Sequence, residues 1–188
     1  MKKKPDEIID LHIKLFIKIL EFLRSNHITT YREIVDYKTK GVLDEPLWKL
    51  VEAYGKYNVQ YMSEGVHETI LKLKMDFSKI KINEIELFLK NSTNNKSSLK
   101  NVITRKEDCK VHLEHVTPRK KIIEEVLKLH TETEIRNYLN KMCIGCIVLK
   151  SEHRRLDDKV CNNVDVWQRY KNANIKVFNK NTGKWVWK

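Results

Sequence analysis

At 188 residues, 41% hydrophobic and 9% aromatic, the chain can bury a core as one large domain or two small ones. Its net charge of +12 argues against a surface that is merely soluble and points to a polyanionic partner. No apolar run is long enough to span a bilayer, and Lys2 to Lys4 lead into Pro5, Asp6, Glu7 and Asp10 rather than a signal-peptide core, so the expectation is a cytoplasmic protein with no membrane segment.

Residues 6–24 carry apolar side chains at three- and four-residue spacing, from Ile8 through Leu23, and predict a helix with Pro5 in its first turn. The stripe is broad enough to serve more than one partner, a second copy of the chain among them. Thr30 and Glu33 form a capping box for a short helix from Tyr31 to about Tyr37. A helix, a turn and a short helix also make a candidate groove reader, beside the plainer reading of helical packing. Gly41 should end this element, and Asp44 with Pro46 should start a helix over 45–54. Tyr54, Lys56, Tyr57 and Tyr61 form either a base-stacking cluster or a packing corner. Helices are expected over 66–75 and 82–89.

Residues 91–98, Asn-Ser-Thr-Asn-Asn-Lys-Ser-Ser, have nothing to bury and read as a linker. The chain is thereby divided into a helical domain, 1–90, for DNA binding or dimerisation, and a second domain, 99–188, that mixes strands and helices: an α+β protein. In the second domain, strands are expected at 99–103, 111–116 and 146–149. Helices should begin at Thr117-Pro118, at the Thr131/Glu134 capping box and at Ser151, with a terminal helix over 164–170. Residues 175–178 and 184–187 alternate like hairpin strands around Asn181-Thr-Gly183, with Trp185 and Trp187 on one face. Residues 105–188 hold 19 Lys/Arg against 11 Asp/Glu, whereas residues 1–104 hold 18 against 14. The positive excess therefore sits mainly in this second half.

Two segments there concentrate chemistry. Lys110 to Arg119 places Glu114 and His115 where Pro118 turns the chain. Ser151-Glu152-His153-Arg154-Arg155 follows an apolar strand. Phosphodiester cleavage needs a base to activate water and a cation to hold charge on the phosphate and the leaving oxygen. An imidazole serves as the base, and a carboxylate with a second imidazole can hold the cation. Glu114, His115 and His153 supply that set, and a shifted strand register would bring in His112 instead of His115. Arg119, Lys120, Lys121, Arg154 and Arg155 are the candidate phosphate contacts. His12, His27, His67 and His130 are read as structural.

Glu-His-Val-x-Pro at a strand end, then a strand and a helix with an early His, resembles the HNH or ββα-metal nuclease family. The resemblance covers roughly residues 108–160. It implies a ββα-metal nuclease domain in which His115 is the general base and Glu114 and His153 bind Mg²⁺ or another divalent cation. It also implies double-stranded DNA as the substrate. The family's middle Asn, which orients the base, has no clear counterpart here, and the segment between the strands is long and helical. Some other group then has to fix the His115 tautomer, a main-chain carbonyl being one candidate. A freestanding member with its own extra domain is most simply a Type II restriction endonuclease, and a symmetric site cut by one centre per chain favours a homodimer. The alternatives are a non-enzymatic basic DNA-binding protein and a homing-type nuclease of the same family. Relatives with a four-cysteine zinc site raise the same arrangement for Cys109, Cys143, Cys146 and Cys161, against a default of buried thiols.

Overall fold

Helix α1 (Pro5–Ser25) begins with Asp6 and Glu7 and ends with Arg24, charges that complement the helix dipole. Its inner face buries Ile13, Phe16, Ile17, Leu20 and Leu23. It ends at His27, whose φ of 59° lets the Ile28 N–H donate back to the Leu23 carbonyl at 2.9 Å. The computed structural model describes residues 5–52, 59–77, 80, 82–94, 109–158 and 165–187. Expectations for Tyr54, Lys56 and Tyr57, for residues 95–103 and for Cys161 lie outside them.

The chain forms two compact units, each assembled from separated segments: residues 1–56 with 115–144, and residues 57–114 with 145–188. These are not the consecutive stretches 1–90 and 99–188 expected from the sequence. Two segments change places: residues 115–144 pack with the first helices, and residues 57–90, expected with those helices, belong to the unit that holds the strands.

The first unit is helical. Helix α2 (Tyr31–Asp36) opens with the expected capping box, in which the Thr30 side chain accepts from the Glu33 N–H and Glu33 accepts from the Thr30 N–H. Helix α3 (Lys40–Glu52) starts five residues before the expected position and carries both Gly41 and Pro46 inside it. An interior Pro costs about 3 kcal/mol. Leu43, Pro46, Leu47, Leu50 and Val51 are all buried, and each large apolar side chain so placed contributes about 1.5–3 kcal/mol. The burial outweighs the proline. Helices α6 (Arg119–Val126) and α7 (Glu132–Met142) complete the unit, with α7 opened by the Thr131/Glu134 box. Helix α1 packs on α3 and α7, and α6 packs on α2, α3 and α7. Pro118 stands at the N-cap of α6, and Thr117 provides no cap: its hydroxyl is buried with no hydrogen-bond partner among the described residues.

The second unit is built on a mixed five-stranded sheet in the order β2-β3-β1-β4-β5. Its strands are β1 (Tyr61–Ser63), β2 (Val111–His115), β3 (Gly145–Leu149), β4 (Val177–Asn179) and β5 (Lys184–Trp185). Strand β1 runs parallel to β3, Tyr61 opposite Cys146, and antiparallel to β4, Met62 opposite Phe178. The Lys150 N–H donates to the Lys110 carbonyl and the Val116 N–H to the Ile144 carbonyl, the reversed order of an antiparallel β2/β3 pair. Strand β3 is buried along its whole length, which explains its unbroken apolar sequence. Helix α4 (Glu64–Lys72), with Ser63 as its N-cap, packs on β1, β3 and β4. Helix α5 (Ile82–Asn94) runs five residues past its expected end and takes up the first half of the expected linker. Glu86 on α5 accepts the Val111 N–H at 2.9 Å and so anchors the start of β2. Helix α8 (Lys150–His153) follows β3 directly, and α9 (Gln168–Asn172) falls at the end of the expected terminal helix. Trp185 joins Phe178 and His67, whereas Trp187 lies beyond β5 and meets Trp167, so the two tryptophans enter different clusters.

Candidate functional site

Strand β2 alternates strictly. Val111, Leu113 and His115 are buried, and His112 and Glu114 form the half-buried face between them. Glu114 is thus turned to the side reached by α8. There, His153 Nε2 lies 3.0 Å from Glu114 Oε2, and the His153 ring stacks on His112 with centroids 5.2 Å apart. Burial, and after it the electrostatic influence of Lys150 and His153, holds the His112 pKa below its ordinary value.

A residue the sequence reading missed completes this arrangement. Arg169, the second residue of α9, is 2% exposed, and its guanidinium reaches Glu114 Oε1 at 3.3 Å. It also pairs with the Asp158 carboxylate and donates to the Asp157 carbonyl. A buried cation is tolerable only when paired in this way. Glu114 is therefore shared between an imidazole and a guanidinium. No local signal marked Arg169, because a single Arg between Trp167 and Tyr170 reads as the polar side of a helix.

Glu152 is the second group whose role the sequence concealed. It is 4% exposed, and it accepts hydrogen bonds from the Ser63 hydroxyl, the Gly65 N–H at 3.1 Å and the Leu149 N–H at 2.8 Å. Burial raises its pKa, and the three donors work against that rise. Helix α8 thus begins at Lys150 with the Glu152 carboxylate at its entry. The Ser151 hydroxyl is buried without a partner among the described residues and is no cap.

His115 lies in the helical unit. Its ring meets Trp48 edge-on at 4.3 Å, and its Nε2 is 3.2 Å from the Leu47 carbonyl. A carbonyl only accepts, so this contact assigns the proton to Nε2 and makes Nδ1 the basic nitrogen of the neutral ring. Arg119 stacks over Trp48 at 4.9 Å and pairs with Asp44 at 3.1 Å. Lys120 pairs with Glu124 and lies over Tyr31, and Lys121 pairs with Glu125. Lys120 and Lys121 are therefore partly neutralised on their own helix, and Arg119 by Asp44 of α3. Arg154 and Arg155 are exposed in the unit that holds Glu114 and His153.

Among the described residues, no group of three or more His, Cys, Asp and Glu side chains is arranged to hold a metal ion. Glu114 and His153 offer two donors. Their 3.0 Å separation is that of a hydrogen-bonded pair and equally that of two neighbouring donors on one octahedral cation, about 3 Å for bonds of about 2.1 Å. A carboxylate oxygen with one imidazole nitrogen suits a hard divalent ion that keeps several waters. The thiols of Cys109, Cys143 and Cys146 are free. Desolvation raises all three, Cys143 to about 12. Thiolate ligands need the opposite shift. No family model, no curated protein and no solved structure matches this chain.

Proposed function

We propose that this chain is a divalent-metal-dependent endonuclease of the HNH or ββα-metal type that hydrolyses double-stranded DNA. The observation that carries the reading is the meeting of Glu114 and His153 at 3.0 Å, from a strand and a helix 39 positions apart in sequence. A hard divalent ion held there would neutralise phosphate charge and stabilise the leaving oxygen. Glu114 and His153 are its two protein ligands, and Arg169 holds the Glu114 carboxylate in place from the buried side. Arg154 and Arg155 contact the phosphodiester backbone as exposed, always-charged groups.

The family resemblance makes His115 the general base, although its ring lies on the β2 face opposite the one that carries Glu114. The Leu47 carbonyl supports that role by fixing the tautomer, a task for which the sequence offered no Asn. One observation favours a second choice of base: His112 shares the β2 face of Glu114 and stacks on His153. Site-specific cleavage as a Type II restriction enzyme, and action as a homodimer, rest on family resemblance and symmetry. The outward face of α1 supports the second copy, with Leu11, Leu15 and Phe22 exposed.

The test is incubation with plasmid DNA in Mg²⁺ and then in EDTA. Discrete fragments that vanish with EDTA and in H153A support the reading. Loss of about 10²- to 10⁴-fold in H115A, with H112A nearly intact, assigns the base to His115, and the reverse pattern assigns it to His112. Retardation of DNA without cleavage under any divalent ion makes the chain a DNA-binding protein instead.

A further inference from the structure

We propose that Glu152 is a positioning residue, whose buried carboxylate docks α8 onto the start of α4 and thereby sets the place from which His153 meets Glu114. The inference rests on the reading of His153 as a metal ligand for its functional meaning, though not for its geometry.

Helix α8 has four residues. A single turn gains too few hydrogen bonds to fix its own orientation. The fixing contacts come instead from residues far away in sequence, where β1, the neighbour of β3, runs into α4. The Ser63 hydroxyl and the Gly65 N–H, 89 and 87 positions away in sequence, both donate to Glu152. Ser63 is the N-cap of a nine-residue helix and Gly65 lies in its first turn, where N–H groups and the helix dipole favour a carboxylate. The third donor, the Leu149 N–H, ties the same carboxylate to the strand that leads into α8. The fit is close: a Cβ on Gly65 would lie 2.7 Å from Leu149 Cδ1 and 2.9 Å from Glu152 Oε1. A side chain on residue 65 would have to push back the ends of both side chains.

An apolar side chain would fill this space without the desolvation cost of a carboxylate. What an apolar group cannot supply is a direction. Donors from β1, α4 and β3 fix both oxygens of Glu152, and the next residue in the chain is His153. Its ring nitrogen must hold a position within a few tenths of an ångström to share a cation with Glu114.

The experiment follows the histidine rings in long-range ¹H–¹⁵N spectra of the full chain, with a parallel Mn²⁺ titration. In E152A, the His153 ring signals should move to those of a solvent-averaged histidine while the His115 and His67 signals stay in place. Mn²⁺ affinity should fall about 10- to 100-fold, as for loss of a group that orients a ligand. S63A removes one donor and should move both readouts part of the way, and it carries the test if E152A does not fold. E152Q, which keeps the shape, should recover part of the His153 signal. Unchanged His153 signals in E152A overturn the proposal. So does an equal disturbance of His115 and His67, which would make Glu152 a general core residue. If the wild-type chain binds Mn²⁺ no better than H153A does, the metal-site reading falls, and the ring spectra still decide the role of Glu152.

Discussion

Arg169 Nη1 lies 3.3 Å from Glu114 Oε1, 55 residues away in sequence, and the Arg169 side chain is 1% exposed. An exposed pair at this distance would be worth little. In the interior, each partner makes the burial of the other tolerable, and removing one leaves an uncompensated charge. Replacing Arg169 with Met should therefore lower unfolding stability by about 3–5 kcal/mol, read from the urea midpoint. The E114Q/R169M double variant should lose less than the sum of the two single variants. Full additivity would show that the pair is not coupled.

Gly65→Ala places a methyl group against Leu149 and the Glu152 carboxylate. Overpacking at a buried contact costs about 1–3 kcal/mol. A thermal scan should show a lowered midpoint. Gly41→Ala, where nothing lies within 4 Å of the added Cβ, should be neutral or slightly stabilising, since Ala is the better helix former.

The pH dependence of stability should carry a Glu152 component. Burial raises its folded pKa above the ordinary 4.5, so in the window between those two values the folded chain binds more protons than the unfolded chain. Stability from this group is fully present below the unfolded pKa and is lost as pH rises through the folded pKa. E152Q lacks the component. The stability of E152Q minus that of the wild type should grow as pH is raised from about 4.5 and then level off. A difference that is flat in pH would mean that the three donors cancel the burial.

Cys143, pushed up to about 12, holds only about one thiolate in ten thousand at pH 8. Cys109 and Cys146 are raised by burial as well. Alkylation of the native protein at pH 8, followed by peptide mapping, should leave these three unmodified until denaturant is added. Fast native labelling of Cys143 would contradict its desolvation.

Helix α1 leaves Leu11, Leu15 and Phe22 exposed at 47%, 46% and 65%. If a second copy covers this face, the L15D/F22D variant should sediment as a monomer under conditions where the wild type sediments as a dimer, with its thermal midpoint little lowered. A dimer that persists in this variant places the contact elsewhere.

Much of the local structure was legible from the chain. Both Thr/Glu capping boxes stand where their spacing put them, because a cap is a contact between residues three apart. The stripe of α1 and the apolar run of β3 announced their burial. Element ends were less legible where burial overrode turn chemistry. Pro46 lies inside α3, and Asn91 to Asn94 continue α5. Thr117 and Ser151 had the composition of caps, yet both hydroxyls are buried where no backbone N–H of their helices reaches them.

The residue types of the candidate site were set by the sequence alone: an acid and an imidazole at a strand end, and a second imidazole early in a helix. Period-two alternation along β2 already separates the face of His112 and Glu114 from that of His115, since neighbouring side chains on a strand point to opposite sides. Only the tertiary structure decided which distant groups hold those residues. Arg169 reaches Glu114 across 55 positions, and Ser63 reaches Glu152 across 89. No local pattern marks such pairs, because a buried charge is chosen by its partner in space. The meeting of Glu114 and His153 was inferred from the motif, and the antiparallel β2/β3 pair with α8 following it is what closes their distance to 3.0 Å.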